Sequence, residues 1–177
     1  MVKAVLINGN HTKQSRLSGI HQYIVEYLSK AQIQVHSIFV HDLPANDLIS
    51  ANFASEKIKY ENIQIADADY VIVLTPIFKA TYSGILKTYL DLLPQKVLVG
   101  KKIIPIAVGG SLAHLLAIEY TLKPVLSVLG ATEILNSVYI VDKQIERLED
   151  GRYRIEEEAI TRLTNELQAL LSAKALV

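Results

Sequence analysis

The chain contains no cysteine. Disulfides, thiolate nucleophiles, zinc–thiolate centres and iron–sulfur clusters are thereby excluded. It also lacks an excess of either charge: 18 Lys and Arg balance 18 Asp and Glu. Bulk electrostatics therefore select neither nucleic acid nor an anionic membrane as partner. No apolar run is long enough to cross a bilayer. The opening run, Met1 to Asn8, is too short for a secretory core and reads as a strand, so a cytoplasmic location is expected. Glycine is sparse where it would matter for a dinucleotide. The three-glycine fingerprint finds only Gly9 in the first loop, and no Gly-Lys-Ser/Thr ending is present for a Walker loop. The histidines His11, His21, His36 and His41 have no acidic partners at metal-ligand spacing, and His114 reads as a helix-start residue. No metal site and no Ser/His/Asp nucleophile are expected.

What is present is a core. Half of the 177 residues are hydrophobic and 20% are charged, as in one globular domain spanning 1–177. Apolar runs alternate with helix-period segments along its length. Strands are expected at Lys3–Asn8, Gln34–Val40, Tyr70–Thr75, Lys102–Val108 and Thr132–Val141. Helices are expected at Arg16–Lys30, Glu56–Ala66, Ser83–Leu93, Leu112–Leu129 and Ile155–Ala173, with a loop over His41–Ser55 and a turn at Asp150-Gly151. This alternation implies an α/β, three-layer fold with helices on both faces of a parallel sheet. Five strands fit the flavodoxin-like order 2-1-3-4-5, which holds its ligand at the carboxyl ends of strands 1 and 3.

Three loops fall at those ends. The first, Asn8 to Ser18, joins a buried strand to a helix N-terminus, where free amides and the helix dipole favour phosphate. Ser15 and Ser18 add hydroxyls, Arg16 a guanidinium fork and Asn10 an amide. The same loop also reads as an ordinary helix cap with a solvated arginine. The second runs Thr75-Pro76-Ile77-Phe78-Lys79-Ala80-Thr81-Tyr82-Ser83-Gly84. Pro76 is expected to end the strand, leaving the amides of Ile77, Phe78 and Lys79 to meet a ring edge and Phe78 to meet its face. Lys79 would place a positive charge beside the ring or beside a nucleotide phosphate. The third is Gly109-Gly110-Ser111, where glycines permit close backbone approach. Farther on, Pro124 sits inside a helical pattern and cannot donate to the carbonyl of Tyr120, so a kink or bulge is expected there. That helix is apolar nearly all round, which fits either burial against another subunit or cover by the closing helix.

These segments resemble the NADPH-dependent FMN reductases, and most of all the alkanesulfonate-type FMN reductase of two-component monooxygenase systems. The resemblance is carried by Ser15-Arg16 with Ser18, by Thr75 through Thr88 with Asp91-Leu92-Leu93-Pro94, and by Gly109 through Leu116 with Tyr120 and Leu122 to Leu126. It implies hydride transfer from NADPH to FMN, and release of reduced FMN to a monooxygenase that frees sulfite from organosulfonates. It implies further that Asn10, Ser15, Arg16 and Ser18 hold the FMN phosphate. Pro76, Ile77, Phe78, Lys79 and Ser83 would then line one side of the ring, and Gly109, Gly110 and Ser111 the other. Catalysis would need no acid or base side chain. The resemblance also implies a homodimer or homotetramer, with Tyr120 in a π-helical turn at the subunit contact. The usual Gly-Ser-x-Arg opening is here Gly9-Asn10-His11-Thr12, one arginine fewer, and the frequent tyrosine of the second loop is Phe78. The charged segment from Asp142 departs most. An FMN-bound quinone or azo reductase and a flavodoxin-type electron carrier are the alternative readings; zero net charge disfavours the carrier, which is usually strongly acidic.

Overall fold

The structure, a computed structural model, describes residues 2–172. Strand β1 (Lys3–Asn8) is followed by helix α1 (Arg16–Lys30) and strand β2 (Gln34–Phe39). A short α2 (Ala45–Ile49) interrupts the expected loop before α3 (Glu56–Ala66). Then come β3 (Tyr70–Phe78), the two-residue β4 (Thr81–Tyr82), α4 (Gly84–Leu90) and β5 (Lys102–Gly109). A π-helical turn at Ile118–Leu122 leads into α5 (Lys123–Val128). Strands β6 (Glu133–Ile134) and β7 (Val138–Val141), the strands β8 (Ile145–Arg147) and β9 (Tyr153–Ile155), and α6 (Glu157–Ser172) complete the described residues. The expected last residue of the closing helix, Ala173, lies outside the described residues. No described helix is long and apolar enough to cross a membrane.

The sheet runs β2-β1-β3-β5-β6, with β7 also on β5 and β4 on β3, so it holds seven strands rather than the expected five. The two extra pieces have separate causes. The expected fifth strand splits because Asn136 and Ser137 turn out of the ladder: Asn136 Nδ2 donates to Glu166 at 3.1 Å, and the Ser137 hydroxyl donates to Glu119. The other piece arises because Pro76 does not end β3. It pairs in register with Val108, and the strand continues to Phe78. The Leu74 carbonyl accepts from Gly9 N at 2.8 Å on the β1 side. Pro76 has the same strand parity, so its nitrogen faces a side where the β1 ladder has already stopped at Asn8. No ladder bond is lost there. The chain then reverses through Lys79-Ala80 into β4, pairing Phe78 with Thr81 and Ile77 with Tyr82.

Alternation along the strands sorts the core into two halves. Ala4, Leu6, Ile72, Leu74, Ile104 and Ile106 face α1 and α6, while Val5, Ile7, Val71, Val73, Ile103 and Ala107 face α3, α4, the π turn and α5. The closing helix therefore lies across the sheet from the π turn and does not cover it. The antiparallel β8–β9 pair packs on α1. Gly19 permits that contact: a Cβ there would stand 2.6 Å from Cβ of Tyr153 and 2.7 Å from its Cγ. Alanine favours a helix over glycine by about 1 kcal/mol, yet overpacking of this kind costs roughly 1–3 kcal/mol. Gly19→Ala is expected to lower stability by about 1–2 kcal/mol in urea unfolding; a raised midpoint would show that Tyr153 does not press on this helix.

Candidate functional site

A cleft of about 370 Å³ opens where β1, β3 and β5 end. Its walls are Asn10, Gln14, Ser15, Arg16 and Leu17 from the first loop and α1, Pro76, Ile77 and Phe78 from β3, Val108, Gly109 and Gly110 from β5, and Asp142. A larger groove of about 550 Å³, lined by Phe53, Ile63, Leu92 and Leu93 among others, lies between α3 and the turn after α4. It shares no residue with the strand-end loops.

The first loop is braced from inside. Asn10 is buried, and its amide nitrogen donates both to the Thr12 carbonyl at 2.7 Å and to the Ser15 hydroxyl. Both of its amide hydrogens are thus spent within the loop, so it supports the phosphate cradle rather than donating into it. Ser15 is the N-cap residue of α1, but its hydroxyl makes no cap bond. Accepting from Asn10, that hydroxyl keeps its own proton for a ligand. Arg16 is held by its Nε, which donates to the Ile145 carbonyl at 2.9 Å. Its remaining nitrogens stay at the cleft. No acidic residue occupies the first turn of α1, leaving the positive helix end uncompensated by its own side chains.

Below this loop sits a histidine that the sequence reading gave no role. His21 is buried, stacks on Phe39 with ring centroids 4.6 Å apart, and contacts Asn8 Nδ2 at 3.2 Å and the Ser37 hydroxyl at 3.1 Å. An amide nitrogen only donates, so Nδ1 of His21 accepts and Nε2 carries the proton. Asn8 Oδ1 in turn accepts from Asn10 N at 3.1 Å. The signal was its place in the apolar stripe of Leu17, Ile20, Ile24 and Leu28.

The second and third loops supply the ring-facing walls. Phe78 is half exposed, with the His11 ring 5.4 Å away. Lys79 and Ala80, at φ 50° and 63°, turn the hairpin without a glycine. Such a turn favours Asn and Gly, and left-handed backbone costs an ordinary residue roughly 1–2 kcal/mol. Gly109 is fixed by a close approach: a Cβ there would lie 2.1 Å from the hydroxyl of Tyr139, which donates to the Ser111 carbonyl at 2.7 Å. A Cβ on Gly110 would meet nothing within 4 Å, so that side stands open to a ligand. Burial first, then the Asp142 carboxylate, raises the Tyr139 phenol above its ordinary range.

Four expected site residues are not among those lining the cleft. Ser18 is buried and donates to the Lys13 carbonyl, holding the loop from behind. Ser83 is fully buried; it caps α4 by accepting from Leu86 N at 3.3 Å and donates to the Gly9 carbonyl. The Ser111 hydroxyl accepts from Ala113 N at 3.2 Å. Lys79 sits exposed at the hairpin tip and does not line the cleft. Outside the cleft, Lys123 N–H bonds five residues back to the Ile118 carbonyl, Tyr120 is 76% exposed, and Pro124 is the second residue of α5.

The cleft falls within the volume range of small-molecule sites. It offers a hydroxyl, a guanidinium and a helix N-terminus at one end. At the other stand an apolar wall of Pro76, Ile77 and Val108 and the aromatic face of Phe78. That donor set fits a phosphate carried by a flat heteroaromatic ring. Burial lowers the pKa of His21 from 6.5 to about 4. The unfolded chain therefore binds a proton that the fold resists, and this contribution to stability is complete above pH 6.5 and is lost as pH falls to about 4. The loss attributable to His21 is roughly 3 kcal/mol. His21→Gln is expected to flatten the stability curve between pH 7 and 4; an unchanged slope would show that His21 is not held neutral.

Comparison with known proteins gives a consistent neighbourhood. The chain is 42% identical to an FMN reductase (NADPH) of Escherichia coli over 81% of its length and 75% of that protein. It is 43% identical to an FMN reductase (NADPH) of Pseudomonas putida over 80% of its length and 72% of that protein. Its structure resembles that of the NADH:FMN oxidoreductase EMOB with a TM-score of 0.85 and 33% identity, covering 96% of this chain and 88% of that one. The family model described as NADPH-dependent FMN reductase matches residues 2–146, and with these relatives it shows that the chain belongs to that family.

Proposed function

We propose that the chain is an NAD(P)H-dependent FMN reductase, working in the cytoplasm, that yields reduced FMN to a separate flavin-dependent monooxygenase of organosulfonate desulfonation. The observation that carries the reductase reading is the strand-end cleft, with Ser15 and Arg16 at one end and the Pro76–Phe78 and Gly109–Gly110 backbones at the other. The monooxygenase partner is supported by the resemblance carried by Thr75 through Thr88 with Asp91 to Pro94, and by Gly109 through Leu116 with Tyr120 and Leu122 to Leu126. The relatives divide on the reductant: those at 42–43% identity are named for NADPH, while SfnF of Pseudomonas putida, 28% identical over 78% of this chain and 77% of its own length, is an NADH-dependent FMN reductase.

FMN and the nicotinamide nucleotide together supply a hydride donor and acceptor when both are bound. What the chain contributes is binding and alignment. In this reading the Ser15 hydroxyl, Arg16 and the first-turn amides of α1 hold the phosphate. The backbone beside Ile77 and Phe78 meets the polar edge of the ring, and Gly110 leaves its opposite side open. Phe78 excludes water from one flank. No side chain is required as acid or base. In the same reading a second copy of the chain packs against the π turn, a reading supported by the exposure of Tyr120 there.

The test is steady-state NADPH oxidation with free FMN and then with a quinone as acceptor. Oxidation that saturates with FMN, with colourless protein as purified, is expected. Tightly held yellow flavin with ping-pong reduction of quinone would instead support the quinone reductase alternative, and no oxidation with either acceptor would remove the enzyme reading. Arg16→Ala is expected to weaken FMN binding by more than about tenfold and to leave riboflavin, which has no phosphate, nearly unaffected. Equal FMN affinity in the variant would move the phosphate away from this arginine.

A further inference from the structure

Among the described residues that line the cleft, Arg16 is the only cation and Asp142 the only anion. Their charges face each other there, with Arg16 Nη1 4.0 Å from Asp142 Oδ2 and both side chains about half exposed. Arg16 is anchored at one nitrogen, and the backbone at Asp142 is set by a short turn. The Ile145 carbonyl anchors Arg16 at Nε. Asp142 opens a turn over residues 142–144, which is closed by a bond from Val141 N to Gln144 Oε1 at 3.1 Å. The lysine of the first loop, Lys13, is already committed: it pairs with Asp42 at 2.5 Å and lies 5.0 Å over the Phe39 ring. A phosphate near its second ionisation, entering beside Ser15, would therefore meet a lining whose formal charges cancel.

We propose that Asp142 is a resident counter-anion of this site, whose carboxylate competes with the incoming phosphate for Arg16 and keeps flavin exchangeable. The proposal rests on the reading that the cleft takes FMN, and deepens it. A reductase that hands its flavin to another protein needs a phosphate grip that releases. One arginine shared between the protein's own carboxylate and a mobile phosphate provides that grip, because every phosphate contact with Arg16 is made against an anion close by. Asp142 also acts on Tyr139 of the strand it follows: after burial, its carboxylate is the second cause of the upward shift of that phenol.

The experiment is a titration of the full chain with FMN and with riboflavin, read by flavin fluorescence, for the wild type, Asp142→Asn, Asp142→Ala and Glu146→Gln. Glu146 pairs with Arg154 on the β8–β9 hairpin and does not line the cleft, so it controls for loss of one negative charge. Both Asp142 variants should bind FMN about three- to tenfold more tightly, release it correspondingly more slowly, and bind riboflavin with wild-type affinity. Glu146→Gln should change neither. FMN affinity that is unchanged or weaker in both Asp142 variants would overturn the proposal while leaving the flavin reading intact, as would an equal tightening for riboflavin. Wild-type protein that binds neither flavin would overturn the reading beneath it, and the proposal with it.

Discussion

One buried hydroxyl joins the two loops on which the cleft depends. Ser83 donates to the Gly9 carbonyl at the end of β1, accepts from Leu86 N in the first turn of α4, and its own amide donates to the Thr75 hydroxyl at 3.1 Å on β3. Leu86 then packs so closely that a Cβ on Gly9 would stand 2.7 Å from its own Cβ. A strand end, a hairpin and a helix start are thereby held at fixed separation in a dry environment, where an unmet polar group is expensive and a met one is rigid. The cleft wall is made by residues next to this junction: Asn10 and Ser15 on one side, Pro76 to Phe78 on the other. Ser83 therefore serves the site without facing it.

The same division of labour runs through the rest of the cradle. Asn10, His21, Ser18 and Tyr139 spend their hydrogen bonds on the protein and leave Ser15, Arg16 and the backbone of the strand ends for a ligand. A site built for hydride transfer needs geometry more than proton chemistry. The buried neutral His21 fits that economy: it is a brace with a fixed tautomer rather than a titrating group at neutral pH.

Much of this was legible in the chain itself. Patterning located β1, α1 and α3 to the residue: β1 is one apolar run and α1 carries one apolar stripe, while in α3 Ile58 and Ile65 are buried and Ile63 stays exposed. The convergence of three loops on one sheet edge followed from topology. Other features depend on distant partners and leave no local mark. Arg16 meets Ile145, far away in sequence. The need for glycine at 109 comes from Tyr139 on the neighbouring strand. The hairpin at Lys79-Ala80 has none of the turn residues that announce one, and Pro76 reads as a strand end unless it is known which side of β3 has lost its neighbour. Ser18 was assigned to the ligand by residue type and Ser83 by the resemblance, and their buried hydroxyls donate to the Lys13 and Gly9 carbonyls instead, whereas the Ser111 hydroxyl accepts from Ala113 N and keeps its own proton.

The central claim is that the flavin phosphate enters at the N-terminus of α1 while the ring lies between the ends of β3 and β5. A crystal structure of the chain with FMN tests it most directly. The account predicts the phosphate within hydrogen-bond reach of the Ser15 hydroxyl and the Arg16 guanidinium, with the ring edge along Ile77 and Phe78 and one side toward Gly110. Flavin seated instead in the apolar groove of Phe53 and Ile63, or a phosphate turned away from Arg16, would contradict it.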